Sequence, residues 1–128
     1  MGKSIVVKGC TLEISSGGSG PEPTVDSSPS DDVLINGKGV FFGEIKFSVS
    51  GVTAGDIANA DGEGSGTIKG TGASILDVAS GNKVVLEGDE SAEITVDGTK
   101  PSQSGPVSAS GKIKVKVSKA GQTDIVAL

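Results

Sequence analysis

The sequence contains no histidine, tryptophan or tyrosine, and its single cysteine is Cys10. Without an imidazole, the chain cannot form the usual Ser-His or Cys-His nucleophilic pair. One cysteine without histidine cannot supply the four nitrogen or sulfur ligands of a zinc site within one chain. A lone cysteine also forms no intramolecular disulfide, so folding does not require an oxidising compartment. We therefore expect a protein that is not an enzyme, with no catalytic residues, no metal and no cofactor.

Arginine is also absent: all 11 basic residues are lysines, and the net charge is -5. Arginine is the preferred side chain for phosphates and base edges, and the only aromatics here are three phenylalanines. This composition argues against a nucleic-acid partner. The opening stretch "MGKSIVVKGC" has an apolar run too short for a signal peptide or a membrane span. We expect synthesis in the cytoplasm and no membrane association.

Glycine is abundant, with 21 residues, and short runs of Val, Ile and Thr recur between Gly, Asn and Asp. Such punctuation is typical of strands and turns. Polar and apolar residues alternate strictly in 44–50 and in 112–118, which predicts strands with one apolar face. No segment has a sustained helical period, although residues 72–80 could form either a short helix or irregular structure. We predict an all-β fold in a single small domain, residues 1–128.

Short antiparallel hairpins are predicted over residues 4–15, 33–50, 83–97 and 112–127. The clearest turn is Asn36-Gly37, because this dipeptide favours the tight turns that match the twist of paired strands. Two arrangements of the hairpins stay open, a conical structure and a compact β-sandwich. The sequence also predicts a low-complexity loop at 15–32 and a second polar loop at 98–111.

Few segments could carry chemistry. Cys10 is interpreted as a small buried residue at a strand end. The acidic stretch 56–66 lacks carboxylates at the two strongest calcium positions of an EF-hand loop, so we favour a solvated turn over a calcium contact. The carboxylates of 87–93 crowd one hairpin loop without aromatic platforms for a sugar, which favours a solubility role. The glycines of 37–43 and 62–66 match no phosphate-binding motif and indicate turns and bulges.

Residues 33–38, "VLINGK", resemble the repeated phrase of PAAR-repeat proteins, which cap the spikes of contractile injection systems. The opening strand at 1–10 is similar to theirs, and a weaker echo follows at 82–98. The resemblance is confined to about the first fifty residues and that later segment. Members hold a metal near the tip with His and Cys, whereas only Cys10 could match here. The resemblance is therefore to PAAR-like relatives without a metal.

The resemblance implies a structural protein that caps a trimeric β-helical spike of a phage tail or injection particle, into which it assembles after synthesis. Partner contacts would come from Val7, Val40, Phe41 and Phe42, through strand addition and apolar packing. Neighbouring strand residues face opposite ways, so one of Phe41 and Phe42 should face outward. The alternative is a non-catalytic β-sandwich that binds carbohydrate or protein through its loops. A homotrimer is also left open, because so few large apolar groups make a thin core.

Overall fold

A computed structural model describes residues 3–72 and 83–127 of the chain. Within these residues there is no helix, and the all-β prediction is confirmed. Residues 73–80 of the helix candidate lie outside the described residues. The strands are β1 (Lys3–Ser4), β2 (Thr11–Ser16), β3 (Gly18–Ser19), β4 (Thr24–Val25), β5 (Leu34–Ile35), β6 (Lys38–Gly39), β7 (Glu44–Ala54), β8 (Gly62–Lys69), β9 (Ile94–Lys100), β10 (Val107–Lys119) and β11 (Val126–Ala127).

The main sheet curls into a nearly closed barrel. Its strand order is β2-β10-β9-β8-β7-β3, and β4 also pairs with β7. The two end strands, β2 and β3, are separated in the chain by Gly17 alone. One bent stretch of chain therefore pairs with β10 through its first part and with β7 through its second. This single curved sheet replaces the sandwich that the sequence offered as one alternative.

Gly17 permits the bend that joins the two sheet edges. Its φ is +88°, a left-handed conformation that residues with a Cβ rarely adopt. A Cβ on Gly17 would also collide with the backbone carbonyl oxygen of Lys112. The barrel closes at this point because a residue without a side chain occupies it.

The barrel interior follows the alternation in the sequence. In β7 the side chains of Ile45, Phe47 and Val49 are buried, and in β10 the odd-numbered residues from 113 to 117 are buried. Both strands therefore confirm the predicted period of two. The barrel core comprises Val6, Leu12, Phe41, Ile45, Phe47, Val49, Val52, Ala54, Ile57, Ile68, Val85, Val96, Ile113, Val115, Val117 and Ala120.

Hairpin pairing differs from the prediction in most places. The sequential hairpins are β5–β6, β7–β8 and β9–β10, whereas β1 pairs with β11 and β2 pairs with β10. The hairpins predicted at 4–15, 83–97 and 112–127 do not form. Within 33–50 only the Asn36-Gly37 hairpin is present, with φ of 54° and 80° at these two residues as its turn requires. Long-range pairing prevails because it buries the apolar faces that isolated hairpins would leave exposed.

Both predicted loops contain strands. Residues 15–32 include the end of β2, all of β3 and β4, and the last two pair with β7. Residues 98–111 are mostly the paired ends of β9 and β10, which leaves a turn at 101–106. Both segments are rich in small residues, and at Gly18 and Gly111 the absence of a Cβ lets the backbones of Thr53 and Ala54 approach closely.

The glycines of 62–66 are also strand residues rather than turns. Gly62, Gly64 and Gly66 alternate along one face of β8. A Cβ at Gly66 would lie 2.7 Å from the Ile94 side chain and 2.9 Å from that of Phe47. From Gly62 to Gly66 this face has no side chains, so residues from neighbouring strands fill the space, and Ile68 is the first side chain on it. The described residues contain no helix that could span a membrane.

A pseudo-threefold ring as candidate docking site

Three short extended segments, residues 5–7, 40–42 and 84–86, lie at one end of the barrel and form what we call the ring. Each segment contributes one residue to a β-bridge with each of the other two, and all three bridges are antiparallel. A third residue of every segment lies between its two bridging residues. The bridges are Val7 with Val40, Phe42 with Val84, and Ile5 with Leu86.

The middle residues of the three segments close a cycle of backbone hydrogen bonds. The Val6 amide donates to the Val85 carbonyl at 2.9 Å, and the Val85 amide donates to the Phe41 carbonyl at 3.3 Å. The Phe41 amide then donates to the Val6 carbonyl at 3.2 Å. Each segment gives one bond and receives one, so the three are equivalent by their bonding.

A second cycle of backbone hydrogen bonds flanks the first and runs in the opposite direction around the ring. In each case the residue after one segment donates its amide to the carbonyl that precedes the next segment. These bonds run from Lys8 to Gly39 at 2.8 Å, from Gly43 to Lys83 at 2.6 Å, and from Glu87 to Ser4 at 2.9 Å. Two threefold cycles and three equivalent bridges give the ring an internal pseudo-threefold axis.

The equivalence extends to the outer strands. Gly39 and Ser4, which precede two of the segments, pair with Leu34 of β5 and Val126 of β11 respectively. One residue earlier in the outer strands, the carbonyls of Val33 and Ile125 accept the amides that begin these segments. In the third segment Val84 bridges Gly72, and the residue after Gly72 lies outside the described residues. Leu34 and Val126 therefore occupy equivalent positions around the axis.

Alternation divides the ring into two faces. The middle residues Val6, Phe41 and Val85 belong to the barrel core. The first and third residues of the segments form a second, smaller core on the other side. That core, which we call the cap core, comprises Ile5, Val7, Val40, Val84 and Leu86, with Val33, Ile35 and Phe42 packed against it.

The predicted partner-binding residues lie inside this arrangement. Val7 and Phe41 are at most 3% exposed, so their assignment as partner contacts is corrected to packing within the chain, whereas Val40, 1% exposed, lies in the wall of a cavity. Phe41 and Phe42 do face opposite ways, as predicted, but Phe42 packs half-buried on the cap core. Phe41 is buried in the barrel core and Phe42 packs on the cap core, so the two side chains lie on opposite faces of the ring.

A cavity of about 320 Å³ lies on the cap-core side of the ring. Its lining includes Ile5, Val40 and Val84, the first residues of the three segments. Because these positions are equivalent, the cavity lies near the pseudo-threefold axis. Leu34, Ile35, Asn36 and Ile125 complete the lining.

Two of the residues that line this opening are exposed and apolar: Leu34 is 53% exposed and Ile125 is 42% exposed. Val126, which follows Ile125 and is 45% exposed, does not line the cavity. We call Leu34 and Ile125 the apolar rim. The sequence analysis missed them as a site, although three apolar triplets each soon followed by glycine, at 5–9, 40–43 and 84–88, signal the repeat that positions them.

Polar groups near the rim have partners within the chain. The Asn36 side-chain amide donates to the Asp124 carboxylate at 2.7 Å, and the Lys38 ammonium donates to the Gly121 carbonyl at 3.1 Å. The buried Gln122 amide donates to the carbonyls of Ile5 and Ile125, each at 2.8 Å. Gln122 thereby ties the rim to the first ring segment.

Cys10 is half-buried just before β2 and packs against the barrel core. Burial raises the pKa of its thiol to about 11, with a smaller contribution from the negative charge of Glu22. Near neutral pH the thiol is protonated, whereas a reactive cysteine requires the thiolate. The position agrees with a packing role rather than a chemical one.

The acidic stretch 56–66 uses its central carboxylate internally. Asp61 accepts hydrogen bonds from the Thr99 hydroxyl and from the Thr99 amide, the latter at 2.8 Å. These bonds, the hydroxyl first, lower the pKa of Asp61 from its ordinary value. Residues 3–72 and 83–127 contain no group of three or more His, Cys, Asp or Glu placed to hold a metal.

In comparisons with known proteins, no family model, curated protein or solved structure matches the chain.

Proposed function

We propose that this protein is a non-enzymatic structural component that caps a trimeric β-helical spike of a phage tail or related injection particle. The observation that carries the proposal is the closed cycle of hydrogen bonds among Val6, Phe41 and Val85. A single chain normally meets a trimer at a symmetry mismatch. A chain with its own pseudo-threefold axis can instead present similar groups to all three partner chains.

The chemistry of the chain supports a role in assembly. The described carboxylates form no metal-binding group, and the one thiol is held protonated. An apolar concavity lies near the axis, and no titratable side chain lines it. A cap needs shape and main-chain pairing, and neither requires a reactive side chain.

The internal axis also bears on the homotrimer that the sequence left open. Around the axis, three segments of one chain occupy positions that three chains would occupy in a homotrimer. The ring is therefore complete within one chain, and its buried segments require no second copy. We propose that the chain acts as a monomer on its trimeric partner.

Co-expression tests the proposal. The chain, carrying an affinity tag, is produced with the trimeric β-helical spike protein encoded beside its gene, and the complex is purified through the tag. We expect the spike to be retained through a high-salt wash, because apolar contacts resist screening. The control is the same spike truncated by its terminal β-helical turns, which should be lost. Equal recovery of the full and truncated spikes, or of neither, contradicts the proposal.

A further inference from the structure

The cavity on the cap-core side of the ring is aliphatic, apart from one amide. Six of its seven lining residues carry aliphatic side chains, and no titratable side chain lines it. Three of the six, Ile5, Val40 and Val84, are each 1% exposed and belong to the cap core. The one polar side chain in the lining is that of Asn36. A pocket with this lining suits an apolar ligand that a single polar contact orients.

Hydrogen bonds beside the cavity fix the two residues of its apolar rim. The Asn36 side-chain amide donates to the Asp124 carboxylate at 2.7 Å, which joins the β5–β6 hairpin to the segment before β11. The Gln122 side-chain amide donates to the Ile125 carbonyl at 2.8 Å. Leu34 and Ile125 are thereby held at the opening with much of their surface exposed. Apolar surface that stays open to solvent beside a cavity marks a binding site.

The volume of the cavity limits its occupant to a small molecule. The cavity measures about 320 Å³, roughly twice the ~150 Å³ of an engineered apolar cavity that binds benzene. By this comparison it takes about ten to twelve non-hydrogen atoms. This is the size of a short aliphatic chain with a small polar end, and it is too small for a strand or a helix of another protein.

The amide in the lining indicates which polar end fits. Asn36 uses its Nδ2 atom to bind Asp124, which leaves its carbonyl oxygen, Oδ1, as an acceptor at the cavity. The ligand therefore needs a hydrogen-bond donor, and a neutral hydroxyl group supplies one. A carboxylate would meet no cation in the lining and would lie near the negative charge of Asp124. Burying an unpaired charge there would be costly.

We infer that this cavity is a binding site for one uncharged aliphatic alcohol of about eight to ten carbons. The alkyl chain packs on the cap core, and the hydroxyl donates to the Asn36 carbonyl oxygen. The bound alcohol fills the volume that the cap core leaves open. The site is built by this chain alone, so the inference goes beyond the proposed capping role and does not depend on it.

A titration of the purified protein with straight-chain 1-alkanols of four to eleven carbons tests the inference. Methyl NMR spectra give both the Kd and the position of the bound chain. Each CH₂ group that enters the cavity should tighten binding about fourfold, until the cavity is full at about eight to ten carbons. Octanoate should bind at least about tenfold more weakly than 1-octanol, because its charge has no partner in the lining.

Two neighbouring residues provide a matched pair of variants. Ile125 and Val126 are 42% and 45% exposed, but only Ile125 lines the cavity. We expect I125Q to weaken 1-octanol binding about tenfold, because it replaces an apolar wall with a polar group. V126Q should stay within about twofold of the wild type. Melting temperatures check that both variants fold, and L34Q repeats the test at the other rim residue if I125Q is unstable.

Several results would contradict the inference. One is the absence of binding by every alkanol, and another is an affinity that rises with chain length without a plateau, which indicates partition onto a surface. Equal losses in I125Q and V126Q would place the alkyl chain outside the cavity. Self-association of the free protein that I125Q abolishes would identify a second copy as the occupant. None of these results bears on capping, which the co-expression experiment tests separately.

Discussion

The barrel and the ring both leave few strand edges open, but they close in different ways. The barrel bends one continuous stretch of chain at Gly17 and pairs its two halves with β10 and β7. The ring joins three separate segments through one bridge per pair and two cycles of main-chain hydrogen bonds. The barrel has no repeat in its pairing, whereas the ring repeats its pairing three times. The repeated pairing therefore lies in the ring, which is why the proposed capping role is placed there and the barrel is taken as its support.

The largest effect should come from breaking barrel closure with Gly17→Val. The new side chain would collide with the Lys112 carbonyl and would strain a backbone with φ of +88°. We expect the free energy of unfolding to fall by about 4 kcal/mol or more, measured by urea denaturation. The matched control is Gly105→Val, where φ is +106° but nothing lies within 4 Å, and it should cost about 2 kcal/mol. Equal losses would show that strain, and not closure, limits stability.

The next largest losses of stability should come from the two faces of the ring, and they should differ. Phe41→Ala should cost about 3 to 5 kcal/mol, because it empties a site in the barrel core. Phe42→Ala should cost about 1 to 2 kcal/mol, because that side chain is half-buried on the cap core. Denaturant unfolding of both variants measures the difference. A larger loss for Phe42→Ala would reverse our assignment of the two faces.

Sequence reasoning succeeded where a local pattern decides the structure. The Asn36-Gly37 turn and the alternation through Phe47 follow from backbone preference and burial over a few residues. It failed where a strand pairs with one distant in sequence. β2 pairs with β10, whereas the predicted hairpin over 4–15 would have paired it with the segment just before it. Register over a hundred residues depends on which apolar faces meet, and one local sequence does not contain that information.

The ring shows the same limit within a single stretch. Residues 33–50 were predicted as one hairpin, but the chain turns at Gly43, where φ is +78°, and this turn separates the second ring segment from β7. Strict alternation begins only at Glu44, after the apolar run Val40-Phe41-Phe42, so the start of the alternation marks the break. Phe41 and Phe42 were rightly expected to face opposite ways, yet the position of Ile125 at the cavity could be found only once β11 was paired with β1.

A moderate effect should follow from loosening the third ring segment with Asp89→Ala. The buried Asp89 carboxylate accepts the Leu86 amide at 2.8 Å, the Thr71 amide at 3.1 Å and the Thr71 hydroxyl at 2.5 Å. Alanine would leave these donors without a partner, at a cost of about 2 kcal/mol. Asp89→Asn retains one acceptor oxygen and should lose less in the same urea titration. If both variants match the wild type, the carboxylate does not hold the segment in place.

The smallest effect concerns the barrel, where the bonds from Thr99 to Asp61 should make its stability sensitive to acid. The pKa of Asp61 in the folded chain is lowered from 3.8, so its bonds to Thr99 stabilise the protein above that pH. Their contribution is lost as the pH falls from 3.8 through the lower folded value. We expect the melting temperature of the wild type to fall more steeply below pH 3.8 than that of Asp61→Asn. Parallel curves for the two proteins would contradict this role.

The stoichiometry of the complex with the trimeric spike tests the central claim most directly. Size-exclusion chromatography with light scattering gives the mass of the purified complex. A pseudo-threefold ring that occupies the spike axis predicts one copy of this chain for three spike chains. A complex with three copies per trimer would mean that each spike chain binds its own copy off the axis, and it would contradict the account.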